Sequence, residues 1–253
     1  MTAETSHQLP IELPGLIDSR VDLFSGDFFI GTGRSDSANS QLILEGDEDA
    51  FEHTFNNGKL TLNEKSSGDG NITLISGGGS SSIFIGNVTG SSIIVNGRDV
   101  LAGDRTNISG TPRKATLLLP TGHQGSHYIK TISGDVELES LVAKELRIVT
   151  TSGDIDIEGL TARELKIVST SGEIAINGAQ SESIEMKTTS GDIDIDEMKS
   201  QKGVSAKTIS GNVDLTDSEA PSWELGTVSG NIKVKATQGK VNAKSVSGRV
   251  KIS

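Results

Sequence analysis

The sequence predicts an all-β protein: a single-stranded parallel β-helix, or β-solenoid, with coils of about 19 residues and irregular N-terminal coils. Three observations predict it. Ser-Gly pairs begin at Ser133, Ser152, Ser171, Ser190, Ser210, Ser229 and Ser247, so successive intervals are 19, 19, 19, 20, 19 and 18 residues. Within a unit the residues alternate, with Leu146, Ile148 and Thr150 on one face and Arg147, Val149 and Thr151 on the other, which is the period of a strand. After Gly153 the alternation resumes, Asp154 and Asp156 outward and Ile155 and Ile157 inward, giving a second short strand.

Residues 1–20 read as a leading or capping segment. Their start, MTAETSHQLPIELPGLI, has no basic opening before an apolar run, and Pro10, Glu12 and Pro14 interrupt it, so it does not read as a signal peptide. A cytoplasmic location is the expectation. Residues 21–130 read as irregular coils: DLFSGDFFIG, QLILEG, NNGKLTLNE and RKATLLLPTG alternate like strands and are split by Gly, Ser, Asn and Asp. No amphipathic helix stands out, apart from a turn near Asp47 to Phe51. Residues 131–253 are the regular repeat, continuous with 21–130 as one domain.

In the regular part Gly134, Gly153, Gly172, Gly191, Gly211, Gly230 and Gly248 are the expected structural corners, where glycine supplies backbone angles that other residues resist. A link such as Glu158 to Glu164 then returns the chain to the next coil. The few aliphatics that one coil buries do not offset the ordering of its backbone, so coils are stable only when stacked. Stacking turns equivalent positions into columns. Thr131, Thr150, Ser169, Thr188, Thr208, Thr227 and Ser245 form an inward polar column, followed by the Ser of each Ser-Gly pair, and their hydroxyls are expected to bond along the stack. Nucleophilic catalysis by these serines requires an adjacent base, and no His lies near them in sequence.

Two acidic columns follow the glycines: Asp135, Asp154, Glu173 and Asp192 in one, Glu137, Asp156, Asp194 and Asp214 in the other. Of these, Asp135, Asp154, Asp156, Asp192 and Asp194 are candidates for a face that holds a hard cation or contacts a partner, since stacked carboxylates suit calcium. The GGxGxD loops of calcium-binding solenoids are missing, and at strand spacing exposed like charges repel by only about 0.8 kcal/mol in water. A solvated, solubilising face is therefore the plainer reading, and no metal site is assigned. Ile132, Thr151, Thr170, Thr189, Ile209, Val228 and Val246 form a β-branched column, which reads either as a binding strip or as ordinary strand propensity.

Other motifs carry less. HQGSHY places His123 and His127 four apart, a metal pair on a helix, yet it precedes a strand, so a turn and a partly buried His127 are expected. SGGGSSS at 76–82 lacks the Gly-Lys-Ser/Thr of a phosphate loop. LPTG at Leu119 to Gly122 falls short of a sortase signal, and the sequons at Asn71, Asn87 and Asn107 mean little in so Asn- and Ser-rich a chain.

Composition narrows the function further. A net charge of −11 and pI near 4.8 speak against nucleic acid, and one Trp and one Tyr leave few stacking platforms. With no Cys, disulfides, thiolate nucleophiles and Cys-based zinc sites drop out. No window approaches the apolar length of a membrane span.

The tandem TxSGDIxI phrases, with QLILEG…NNGKLTL and the ATLLLPTG…TISGDV junction, resemble a bacterial family labelled as adhesins, a domain of unknown function, over most of residues 21–253. The resemblance implies a β-solenoid of short parallel strands, and it brings no catalytic residues with it.

The function these observations favour is a non-enzymatic binding or scaffolding module, adhesin-like, needing no cofactor, with a protein or cell-envelope partner. The alternatives are a self-assembling, cytoskeleton-like scaffold and a carbohydrate-active enzyme on a β-helix. Charge adds one expectation. From Asp135 to Glu197 acids outnumber Lys and Arg by 15 to 5, whereas after Glu224 there are six basic residues and no acid. An acidic middle and a basic end favour a homodimer through the C-terminal coil.

Overall fold

The computed structural model of the protein describes residues 10–32, 39–46, 50–65 and 113–253, with the backbone of a hairpin at 94–95 and 98–99. Every regular element among them is a strand. In chain order they are β1 (Ile11–Leu13), β2 (Asp18–Asp22), β3 (Asp27–Thr32), β4 (Ser40–Glu45), β5 (Phe51–Asn56), β6 (Lys59–Glu64), the hairpin β7 (Ile94–Val95) and β8 (Arg98–Asp99), β9 (Lys114–Leu119) and β10 (Gly125–Lys130). Then come β11 (Val136–Val149), β12 (Ile155–Val168), β13 (Ile174–Lys187), β14 (Ile193–Asp196), β15 (Lys199–Lys207), β16 (Val213–Thr216), β17 (Glu219–Thr227), β18 (Ile232–Lys235), β19 (Gln238–Ser245) and β20 (Val250–Ile252). The SGGGSSS segment and the three sequons lie outside the described residues, as do Asp47 to Asp49 and residues 1–9 of the leading segment.

The regular coils stack in parallel with a 19-residue offset, Ile155 beside Val136 and Leu165 beside Leu146, so the repeat is a β-solenoid. Each coil has three sides. In β11, Val136 and Leu138 point inward, then Leu141 and Ala143, then Leu146 and Ile148, while the successive outward pairs Glu139–Ser140 and Lys144–Glu145 mark bends. The first bend carries one left-handed residue in each of the first six regular coils: Ser140, Gly159, Gly178, Glu197, Asp217 and Ala236 all have positive φ. One such residue turns the chain without breaking alternation for long. Hence the segment from Glu158 to Glu164 is a side in its own right, with Leu160 and Ala162 buried, and not merely a link.

Columns of aliphatics fill the interior. Phe28, Val136, Ile155, Ile174, Ile193, Val213 and Ile232 stack on the first side and are buried throughout. On the third side Leu146, Leu165, Ile184, Val204 and Trp223 do the same, and the Trp223 indole N–H donates to the Gln238 carbonyl at 3.0 Å.

The N-terminal coils are interleaved out of chain order. β2 lies in parallel between β6 and β10, and β3 between β9 and β11. Ser25-Gly26-Asp27 is thus an eighth copy of the corner phrase, stacked directly under the copy 108 residues later. Beyond it the parallel order ends: β4 runs antiparallel to β9 and β1 to β4 on the first side, and β5 antiparallel to β6 on the third. At the other end the coil of β19 and β20 pairs with β17 and β18 and leaves Val250 39% and Ile252 57% exposed.

Candidate binding surfaces

The corner phrase Thr-x-Ser-Gly-Asp explains itself once its three backbone donors are followed. Each Ser N–H donates to the carbonyl of the column residue before it in the preceding coil, as Ser152 does to Ile132 at 2.8 Å. Each Gly N–H donates to the hydroxyl three residues earlier in its own coil: Gly153 to Thr150 Oγ1 at 3.0 Å, Gly172 to Ser169 Oγ at 2.9 Å, and likewise in all seven regular coils. Thr208, Thr227 and Ser245 also donate downward to the glycine carbonyl of the preceding coil. The polar column is therefore buried and hydrogen-bonded, while the Ser of each pair is exposed.

The glycines sit where they were expected, but for a different reason. Gly134, Gly153, Gly172, Gly191, Gly211, Gly230 and Gly248 have no left-handed backbone. They face inward, and a Cβ on any of them would stand 1.7 to 2.0 Å from the carbonyl oxygen of the glycine below. Close approach, not backbone angle, requires glycine here.

The first acidic column closes the third donor. Asp27 Oδ1 accepts the N–H of Asp135, Asp135 Oδ1 that of Asp154, and Asp154 Oδ1 that of Glu173, at 2.8 to 3.0 Å. Further along, Asp192, Asn212 and Asn231 accept from Asn212, Asn231 and Arg249. Asn serves as well as Asp because the acceptor oxygen, not the charge, is what the next coil uses. These carboxylates are tied to the backbone of the stack.

The second column is free of that duty. It reads Phe29, Glu137, Asp156, Ala175, Asp194, Asp214, Lys233 and Lys251, acidic in the middle and basic at the end. Ala175 leaves a shallow notch between Asp156 and Asp194. Burial, and then the neighbouring Asp214 and Asp192, push Asp194 above the usual carboxylate range; burial, Asp194, Asp154 and Asp192 push Glu173 up beside it. Among the described residues, no group of three or more His, Asp or Glu side chains converges to hold a metal ion.

The outward side of the third strand set is charge-paired, across coils between Lys166 and Glu185 at 2.7 Å and between Lys207 and Glu224 at 2.6 Å, and within one coil between Lys187 and Glu185. Hydrogen bonds from Lys166 and Lys187 hold Glu185 down to about 2. By contrast, the corner column Phe24, Ile132, Thr151, Thr170, Thr189, Ile209, Val228, Val246 is an exposed ridge without a charge. Ile209 is 50% exposed, Val228 43% and Val246 68%, so its C-terminal end is an apolar strip. A shallow groove on the second side adds a polar surface from Gln180, Lys199, Ser200, Gln201, Glu219 and Gln238.

Sequence reasoning missed Glu64. Its side chain is fully shielded and its Oε2 accepts the N–H groups of Phe24, Ser25 and Gly26, each at 2.8 Å, while Arg113 Nη1 donates to Oε1 at 2.9 Å. The reason lies in the eighth corner. Leu23 stands where the regular coils have Thr or Ser, so Gly26 has no hydroxyl to donate to, and Glu64 takes its place. Reading DLFSGD as a corner with its Thr missing would have signalled the need for a substitute acceptor.

HQGSHY forms the predicted turn and the start of β10. His127 is inward and only 2% exposed, and its Nδ1 lies 2.8 Å from Ser19 Oγ. LPTG spans the end of β9 and the following turn. No helix among the described residues is long and apolar enough to cross a membrane.

The family model described as Toastrack DUF4097 matches residues 43–253. No curated protein matches the chain. Among solved structures the chain is similar to one named "putative lipid binding protein" from Parabacteroides distasonis, at 15% identity and a TM-score of 0.54, covering 100% of this chain and 98% of that one. It is also similar to a "putative adhesin" from Bacteroides fragilis, at 14% identity and TM-score 0.46 over 100% and 98% of the two chains. A "putative adhesin" from Parabacteroides merdae stands at 12% and 0.38 over 100% and 97%. The first likeness shows a shared fold.

Proposed function

The chain belongs to the Toastrack DUF4097 family, and from that premise we propose that it is a non-enzymatic binding module whose long faces contact a protein or cell-envelope partner. One observation carries the reading: the uncharged ridge from Phe24 to Val246, which ends in three consecutive exposed aliphatics at Ile209, Val228 and Val246. Contiguous exposed apolar surface, rimmed by polar columns, marks a contact site. The Thr and Ser hydroxyls and the first acidic column are occupied in holding the stack, which supports a structural use of those groups. Binding at the ridge needs no rearrangement of the coils.

The test replaces Ile209, Val228 and Val246 together by Ser and compares capture of partners from fractionated source cells with that of the unaltered chain. The expected result is loss of capture with little change in melting temperature, because these side chains point away from the core. Equal capture by both chains rejects the ridge.

A second reading rests on the exposed Val250 and Ile252 beside Lys233, Lys251 and Arg249. Here two copies pair, the basic C-terminal coil of one against the acidic middle of the other, by complementary charge.

A further inference from the structure

Two imidazoles are left over from the fold. His127 is buried beneath the third side, and His123 folds back from the preceding turn over Gly125: a Cβ on that glycine would stand 2.4 Å from His123 Nε2. The same Cβ would stand 1.8 Å from the Ile17 carbonyl oxygen, so the missing side chain of Gly125 makes room for both the neighbouring chain and the second ring. The ring centroids are 5.2 Å apart with planes tilted 35°. Nε2 of each ring is buried without a hydrogen-bond partner, although buried polar atoms are normally satisfied. Asp18 lies close enough for its charge to act on both rings, with Oδ1 accepting the Ser126 N–H at 3.0 Å.

We propose that His123 and His127 form a two-imidazole site for a divalent late-transition cation, with Asp18 as the neighbouring carboxylate that offsets its charge. The ring separation fits. With metal–nitrogen bonds of about 2.0 Å and ring centres about 1.2 Å behind each nitrogen, a tetrahedral angle sets the centroids about 5.2 Å apart. His127 also has the outer partner that metal-bound imidazoles use, since Ser19 Oγ meets Nδ1 and leaves Nε2 to the metal. Two protein nitrogens leave the remaining positions to water. Occupancy would fasten the turn after β9 onto β10 and, through Ser19, onto β2.

The full chain, treated with chelator, is titrated with zinc chloride while its melting temperature is followed, and then with cobalt chloride while its visible absorption is followed. A bound ion stabilises the folded state by mass action, so saturating zinc is expected to raise the melting temperature by several degrees and cobalt to give a tetrahedral spectrum. Both effects disappear in His123→Ala, which alters a turn and not the aliphatic columns, and both persist in His53→Ala, an exposed histidine of β5. His127→Gln gives the same loss and decides the matter if His123→Ala is poorly folded. An unshifted melting temperature in the unaltered chain, or a shift that survives either His123→Ala or His127→Gln, overturns the site.

Discussion

At the scale of single residues, Thr-x-Ser-Gly-Asp is a set of hydrogen-bonding instructions with one steric condition. The steric condition dominates. In Gly172→Val the new Cβ would meet the Gly153 carbonyl oxygen at 1.9 Å, a backbone atom that cannot swing aside, so two coils must separate. We expect a large loss of stability, several kcal/mol and with it much of the melting temperature. Asp156→Ala, on the outward second column, should stay within about ±0.5 kcal/mol. Thermal unfolding of the two variants checks this, and the reverse order would mean that the corner and the outer face have been exchanged. A finer pair tests the backbone-linked acids: Asp154→Asn should be nearly neutral because Asn212 and Asn231 already do that work, whereas Asp154→Ala leaves the Glu173 N–H without its acceptor and should cost about 1 kcal/mol or more.

At the scale of elements, the segment from β2 to β3 depends on a carboxylate outside the repeat. Burial opposes the charge on Glu64, but the N–H groups of Gly26, Ser25 and Phe24 and the Arg113 guanidinium outweigh it and hold the group below its ordinary range. A carboxylate lowered on folding adds stability that is complete above its unfolded value, near 4.5, and is lost as pH falls through the lowered folded value. Glu64→Gln should therefore cost roughly 2–4 kcal/mol at neutral pH, with the gap from the unaltered chain closing in acid. Denaturant midpoints measured across pH give the answer, and a gap that is constant with pH would remove the charge from the account. How far the sequence could be read follows the same division. The columns from residue 131 onward were legible because a fixed interval puts like beside like. The purpose of the glycines was not, since their contact is with a coil 19 residues away. Glu64 was hidden more deeply: its partners are 38 to 40 residues earlier, and no repeat connects them. Likewise the second side looked like a link, because Gly159 and Gly178 resemble loop residues when they supply a single left-handed step.

At the scale of the whole molecule, charge runs along the stack from acidic to basic, and the second column records it within one line of side chains. If copies pair through the coil of β19 and β20, light scattering at tens of micromolar protein should show a dimer at low salt that dissociates as salt rises, because exposed ion pairs are screened. A monomer at every salt concentration rejects pairing. The interleaved N-terminal coils bear on something else, the order of events during synthesis. β2 and β3 leave the ribosome early, yet each is flanked on one side by a strand made 108 residues later. Their place in the stack cannot be completed until β10 and the first side of β11 have been translated. Contacts so distant in sequence slow folding, so the nascent chain carries an unfinished sheet for much of its translation. The regular C-terminal coils can each settle on the one just made, while β2 and β3 wait for partners 108 residues further along the chain.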